Sequence, residues 1–205
     1  RDIGKTDMHL TTGFVVTPYL LEVLAWTGHR GVAYKLLEQA TVPSWLFPVK
    51  NGATTIWERW DGWTEEKGFQ TPNMNSFNHY AFGSVGRWLF GTVAGIETDG
   101  PAYKRIIIRP QPGGGMSYAR ASYKSIHGKI ATHWRLEGDV LKLDVTIPTN
   151  TTSTVYVPAR SADRVTESGR KATMSKGIRF LGTEGGKAVF SVGSGEYRFA
   201  SRPPR

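Results

Sequence analysis

The chain has 205 residues, 39% of them hydrophobic and 21% charged, with no cysteine and a formal net charge of +9. That composition suits one large globular domain or two small ones. It excludes a disulfide framework and a thiolate metal site, and no apolar run approaches the roughly 20 residues of a membrane span. The charge raises nucleic acid as a partner, but residues 1–97 carry 8 basic and 9 acidic side chains while residues 98–205 carry 18 and 8, dispersed without a block or motif. Solvated sheet faces, rather than a polyanion-binding surface, are the expectation, so neither nucleic acid nor membrane is expected as a partner. There is no initial methionine, and Arg1-Asp2-Ile3-Gly4-Lys5 resembles neither a signal peptide nor a tag, which predicts that the chain is a piece of something longer. The lack of cysteine is compatible with cytosol and secretion alike, and the compartment stays open.

In chain order, Thr17-Pro18 offers an N-cap with proline at the first helical position. Tyr19, Leu20, Val23, Leu24 and Trp26 then recur at helical spacing until Gly28 supplies a stop. A second helix is expected from about Val32 to Ala40, making a helical hairpin. From Ser44 to Met74 the chain is aromatic-rich and has little periodicity, a combination more often functional than idle. A third helix is predicted from about Ser76 to Val93, with Gly83, Gly86 and Gly91 allowing close packing. After Gly95-Ile96 the period becomes two. Arg105–Arg109, Lys129–Leu136, Val140–Ile147, Ser153–Val157, Ile178–Leu181, Lys187–Val192 and Glu196–Ala200 read as short strands of a β-sandwich, with a hairpin at Glu137-Gly138-Asp139. The boundary is placed near Glu97–Gly100, dividing the chain into 1–97 and 98–205. The end, Ser201-Arg202-Pro203-Pro204-Arg205, is expected to fray.

The chemistry concentrates in Gly52-Ala53-Thr54-Thr55-Ile56-Trp57-Glu58-Arg59-Trp60-Asp61-Gly62-Trp63, where one carboxylate lies among three indoles, followed by Met74-Asn75-Ser76-Phe77-Asn78-His79-Tyr80. Pyranose C–H faces rest on aromatic planes and a carboxylate moves protons, so the pattern suits a site that cleaves sugars. Glu58 also reads as an ordinary helix-end charge or ion-pair partner. Trp57, Trp60 and Trp63 read equally as core, with at most one, Trp60, assigned to substrate. Glu65 and Glu66 are expected to be solvated, and Trp45 and Trp88 to be packing. His9, His29, His127 and His133 have no metal-ligand spacing, and no phosphate-binding loop is present, so no cofactor or metal is expected. Six of the seven tryptophans fall in the helical half, more apolar surface than its few helices can bury among themselves. Association through exposed apolar helical faces, with helices outside these residues, is therefore expected.

Leu10-Thr11-Thr12-Gly13-Phe14, Thr17-Pro18-Tyr19-Leu20-Leu21, Pro43-Ser44-Trp45 and the two segments around Glu58 and His79 occur in the order found in bacterial α-L-rhamnosidases, family 78 of the glycoside hydrolases. The stretch from Leu10 to Ile96 resembles the end of that family's catalytic domain, and the stretch from Tyr103 resembles its carboxyl-terminal β-sandwich. The resemblance implies that 1–97 are the last helices of an (α/α)6 barrel, followed by an antiparallel β-sandwich. It implies an inverting enzyme that removes terminal α-L-rhamnose from glycosides, with Glu58 as general base. His79, 21 residues later, corresponds to a histidine that contacts rhamnose. No segment matches the part of the family that holds the general acid, so the missing upstream part of the same polypeptide is the implied partner and the isolated fragment is expected to be inactive. Three alternatives remain: another exo-glycosidase on the same barrel, a non-catalytic carbohydrate-binding fragment, and polyanion binding by the basic half, which would show as a strong salt dependence of association. The second would need an exposed aromatic strip, for which Tyr118, Tyr123, Trp134 and Tyr156 are too dispersed.

Overall fold

A computed structural model describes residues 7–204; the reading of the first five residues lies outside them. The chain divides into two compact units, Arg1–Trp88 and Leu89–Arg205. In the first, α1 (Thr17–Trp26) ends as its sequence requires. Gly28 takes φ +86°, His29 N–H donates to Leu24 O at 2.7 Å and Gly28 N–H to Ala25 O at 3.4 Å, so the last carbonyls are satisfied by a left-handed glycine cap. At the other end Thr17 does not cap the helix. Its hydroxyl turns back to the carbonyls of Thr12 and Gly13, at 3.0 and 2.9 Å. The second helix, α2 (Arg30–Glu38), starts and ends two residues earlier than its periodicity predicts, and buries Ala33, Tyr34, Leu36 and Leu37. A short α3 (Leu46–Lys50), a two-residue pairing of β1 (Trp63–Thr64) with β2 (Gly68–Phe69), and 3-10 turns at Pro72–Met74 and Ala81–Ser84 lead to α4 (Val85–Trp88).

The third helix is much shorter than its sequence suggests. Residues 75–80 are not helical, and Ala81–Val93 passes from a 3-10 turn through one α-turn into a π-turn. Glycines at 83, 86 and 91 explain the loss of regularity, since each weakens a helix by about 1 kcal/mol relative to alanine. The tight packing anticipated for them is also absent. A β-carbon at Gly86 would meet nothing within 4 Å, and at Gly83 and Gly91 only single side-chain atoms at 3.4 and 3.7 Å.

The helical unit leaves an apolar face open. Val16, Tyr19, Val23 and Trp26 recur at spacings of three, four and three along α1, and are 50%, 59%, 46% and 71% exposed. The opposite side of α1 buries Leu21 and Glu22, the latter 2.9 Å from Arg87.

The second unit is a β-sandwich. After the π-turn Leu89–Val93 come β3 (Ile96–Thr98), β4 (Arg105–Ile108), β5 (Tyr118–Ser125), β6 (Gly128–Glu137), β7 (Val140–Ile147) and β8 (Thr152–Pro158). They are followed by β9 (Val165–Glu167), β10 (Arg170–Lys171), β11 (Ile178–Glu184), β12 (Lys187–Val192) and β13 (Gly195–Ser201). One sheet runs β11-β12-β8-β4-β3 and the other β10-β9-β13-β7-β6-β5. Every pairing is antiparallel except β4 with β8. Strict alternation on β7 puts Leu141, Leu143, Val145 and Ile147 inward, and Phe190 of β12 lies 6.0 Å from Phe199 of β13 across the two layers. Sequence periodicity finds β7 and β12 to the residue. It misses β3, β5, β9 and β10, because β3, β9 and β10 are only two or three residues long and β5 is an edge strand with no fully buried residue.

The division falls between Trp88 and Leu89. Hydrogen bonds tie the residues that follow it to the sandwich. Trp134 Nε1 donates to Val93 O at 2.6 Å and Thr132 Oγ1 to Ala94 O at 2.8 Å, so two buried polar groups of β6 depend on residues 93 and 94. Gly95 then takes φ +79°, and a β-carbon there would lie 2.1 Å from Pro110 N. Gly95→Ala combines left-handed strain with a backbone clash. It should lower the stability of the sandwich by at least about 3 kcal/mol, read as an earlier denaturant midpoint for this unit.

Candidate active site

Two loops of the helical unit carry the residues singled out by sequence, and backbone pairing joins them. Glu58 N–H donates to Ser76 O at 2.8 Å, and His79 N–H donates to Ile56 O at 2.8 Å. Thr55 Oγ1 closes the same ladder by donating to Phe77 O. The Glu58 side chain belongs to this pairing as well, because Ser76 N–H donates to Oε2 at 2.8 Å. A charge-assisted bond to a backbone amide fixes the carboxylate plane. The other oxygen, Oε1, has no protein partner among the described residues, so it remains able to accept a hydrogen from water.

His79 is therefore not on a helix; it ends the paired segment just before the turn at Ala81. Its Nδ1 accepts from Ala81 N–H at a long 3.4 Å, and in the tautomer that suits this bond the proton is on Nε2. The imidazole stacks on Phe14 (centroids 4.9 Å, interplanar 23°) and lies parallel to Tyr80 at 5.7 Å. Trp60 is half-buried and packs face to face with Phe82 at 3.7 Å and edge-on to Trp45 at 5.4 Å. Trp45, buried as expected, donates from Nε1 to Phe82 O at 2.9 Å. Trp57 is buried edge-on to Phe77. The three indoles thus have three different environments, since a loop imposes no common face on residues spaced by three.

Glu65 and Glu66 are exposed, and they line a separate cleft of about 460 Å³ with Asp61, Asn51 and Gln70. Neither Glu58 nor His79 lines it. The described residues contain no group of three metal-ligating side chains and no helix long and apolar enough to cross a membrane.

Sequence reasoning did not single out Phe14, Thr55 or Ser76 as part of the site. All three lie inside the matched motifs, but their contacts span 65, 22 and 18 residues, and local spacing holds no sign of them.

The fold defines the class: a unit with a helical hairpin followed by a β-sandwich. Residues 1–93 match the family described as the bacterial alpha-L-rhamnosidase 6 hairpin glycosidase domain, and residues 95–172 match the bacterial alpha-L-rhamnosidase C-terminal domain. The chain belongs to the bacterial α-L-rhamnosidase family. It is 48% identical over 197 residues to an alpha-L-rhamnosidase of Streptomyces avermitilis, covering 96% of this chain and 18% of that protein. It is 36% identical over 200 residues to one from Formosa agariphila, covering 98% and 22%. Among solved structures, S. avermitilis alpha-L-rhamnosidase complexed with L-rhamnose superposes with a TM-score of 0.89 at 47% identity, over 98% of this chain and 19% of that one. The Dictyoglumus thermophilum enzyme gives 0.82 at 34%, over 98% and 22%. The chain spans about a fifth of the length of these relatives.

Gly62 is a sensitive point beneath the site. A β-carbon there would sit 2.6 Å from Asn75 Oδ1, and Asn75 Nδ2 donates to Gly62 O at 2.9 Å. Since Asn75 precedes Ser76, Gly62→Ala should loosen the pairing that holds Glu58. The expected outcome is faster hydrogen exchange at the Glu58 and His79 amides by roughly tenfold or more, with exchange in β6 and β7 unchanged.

Proposed function

We propose that this chain is part of an inverting α-L-rhamnosidase that removes terminal α-L-rhamnose from glycosides, with Glu58 as general base. The observation that carries the reading is the carboxylate of Glu58, held by Ser76 N–H through one oxygen and open at the other, on a loop paired with the one that bears His79. In an inverting glycosidase the base takes a proton from a water that attacks the anomeric carbon, while an acid on the opposite side protonates the leaving oxygen. The two carboxyl groups stand roughly 6.5–9.5 Å apart so that the water fits. Glu58 Oε1 receives that proton in this reading. His79 donates from Nε2 to a rhamnose hydroxyl, and Trp60 contacts the sugar with the part of its indole that Phe82 and Trp45 leave accessible. The S. avermitilis relative solved with L-rhamnose supports the choice of sugar.

The general acid lies outside these 205 residues in this proposal, on the upstream part of the same polypeptide. The open face of α1 supports such a partner. Four large apolar side chains left in water forgo roughly 5–10 kcal/mol, comparable with the whole stability of a small domain, so the face is built to be covered. Helices of the same barrel would cover it and wall the sugar site. The sandwich gives less support to a carbohydrate-binding fragment: Trp134 is fully buried, Tyr156 packs against Arg109, and the exposed Tyr118 and Tyr123 stand five positions apart on β5, on opposite faces of the strand.

Purified residues 1–205 should hydrolyse an aryl α-L-rhamnoside at a negligible rate beside the longer enzyme; comparable turnover would place the acid within this chain. In the longer enzyme, Glu58→Gln keeps the size of the side chain but removes the proton acceptor. Turnover should fall on the order of 10²–10⁴-fold, with rhamnose binding and melting temperature nearly unchanged. His79→Ala should instead weaken rhamnose binding by about tenfold, as expected for one lost hydrogen bond. A well-folded Glu58→Gln enzyme with parental turnover would place the base elsewhere.

A further inference from the structure

The sandwich holds the positive charge that the sugar site does not use, and part of that charge is gathered in one place. Arg160 follows the end of β8, Arg164 precedes β9, and Arg202 follows β13. All three line one cleft of about 220 Å³, whose other described walls are Pro203 and Pro204. Each arginine is exposed but adjoins a buried anchor, respectively Ala159, Val165 and Ser201. Ser201 Oγ donates to Pro158 O at 2.8 Å, tying the end of β13 to the end of β8. Of the terminal segment expected to fray, Ser201 belongs to β13, residues 202–204 follow without regular structure, and Arg205 lies outside the described residues. Proline at 203 and 204 further limits the backbone freedom of the chain beyond Arg202.

The charge balance within the cleft is uneven. Arg202 is 3.2 Å from Asp139, while Arg160 and Arg164 have no ion-pair partner among the described residues. An adjoining cleft of about 290 Å³ shares Arg164 and Arg202 and adds one acid, Asp163, itself 3.6 Å from Lys171. Guanidinium charges that share the lining of one cleft repel one another less when an anion sits among them. A guanidinium offers a planar fork of donors that matches phosphate, sulfate and carboxylate oxygens two at a time.

We propose that Arg160, Arg164 and Arg202 form a binding site for a small oxyanion, a phosphate or sulfate group, at the rim of the sandwich. The cleft has room for such a group. The ligand is either the free ion or the same group esterified to a sugar, and both would be held by the same forks. The site is in the sandwich and its test is a binding measurement, so it stands or falls independently of Glu58 and of any hydrolysis.

The test uses the 205-residue chain, with inorganic sulfate, inorganic phosphate and a hexose 6-phosphate titrated calorimetrically at constant ionic strength set by sodium chloride. Saturable binding is expected for the parent. It should weaken at least about tenfold in the Arg160→Gln/Arg164→Gln double variant, the scale of losing a charged hydrogen-bond donor, and stay unchanged in Lys124→Gln on β5. Tighter binding of the ester than of the free ions would identify a sugar-borne group, and the reverse a free ion. Exposed arginines replaced by glutamine should leave the fold intact, and matching circular dichroism of parent and variant checks this. A parent that shows no saturable binding, or a double variant that binds as the parent does, overturns the proposal.

Discussion

The arrangement of the helical unit depends on one short piece of backbone pairing, between Ile56–Glu58 and Ser76–His79. Two loops with no regular structure of their own are brought together by amide bonds from Glu58 to Ser76 and from His79 to Ile56. Because the Ser76 amide also grips the Glu58 carboxylate, the bond that aligns the loops is next to the bond that orients this carboxylate. Positioning by backbone rather than by another side chain has a consequence: the identity of residue 76 matters less than the register of its loop. That register rests on Asn75 beneath it, which reaches the carbonyl of Gly62. Around this pairing the aromatic side chains act as filler and as orienting surfaces, Phe14 for His79 and Phe82 for Trp60.

The two units differ in how completely they satisfy their own surfaces. The sandwich encloses a continuous apolar core from both sheets, and buried polar groups such as Thr132, Trp134 and Ser201 find acceptors within it. In the helical unit α1 turns Val16, Tyr19, Val23 and Trp26 outward; among the described residues the indole nitrogen of buried Trp88 lacks a hydrogen-bond partner there, as Ser153 Oγ does in the sandwich. Buried donors are rarely left unmet, and large apolar side chains rarely line up on a free helix face. The core of the sandwich is thus enclosed by its two sheets, whereas α1 keeps an apolar face open, in a domain whose matched family is described as a 6 hairpin glycosidase.

Much of this was legible in the amino-acid order. Strict alternation in Val140–Ile147 can only place one side of a strand in a core, and Lys187–Val192 carries the continuous apolar run Ala188-Val189-Phe190 that a buried strand shows; both strands lie where the sequence put them. Gly28 stops α1 because only glycine adopts the left-handed cap without strain. Motif order from Leu10 to Tyr80 was enough to assign the family, and hence the layout of helices followed by a sandwich. Those features are local, since each is decided by residues within a few positions of one another, where sequence spacing and spatial spacing coincide.

What tertiary structure decided is non-local. Apolar spacing from Ser76 onward resembled a helix, yet residues 75–80 pair with a strand-like segment some twenty residues earlier, and that pairing outcompetes a weak glycine-containing helix. Trp57, Trp60 and Trp63 look equivalent in sequence and are buried, stacked and strand-borne in space. The scattered arginines of the basic half showed no motif, because Arg160, Arg164 and Arg202 meet only where three strand ends converge. Composition and periodicity determine which residues must be buried and which elements they form. The partner each element finds depends on the closing of long loops, and no window of neighbouring residues encodes it.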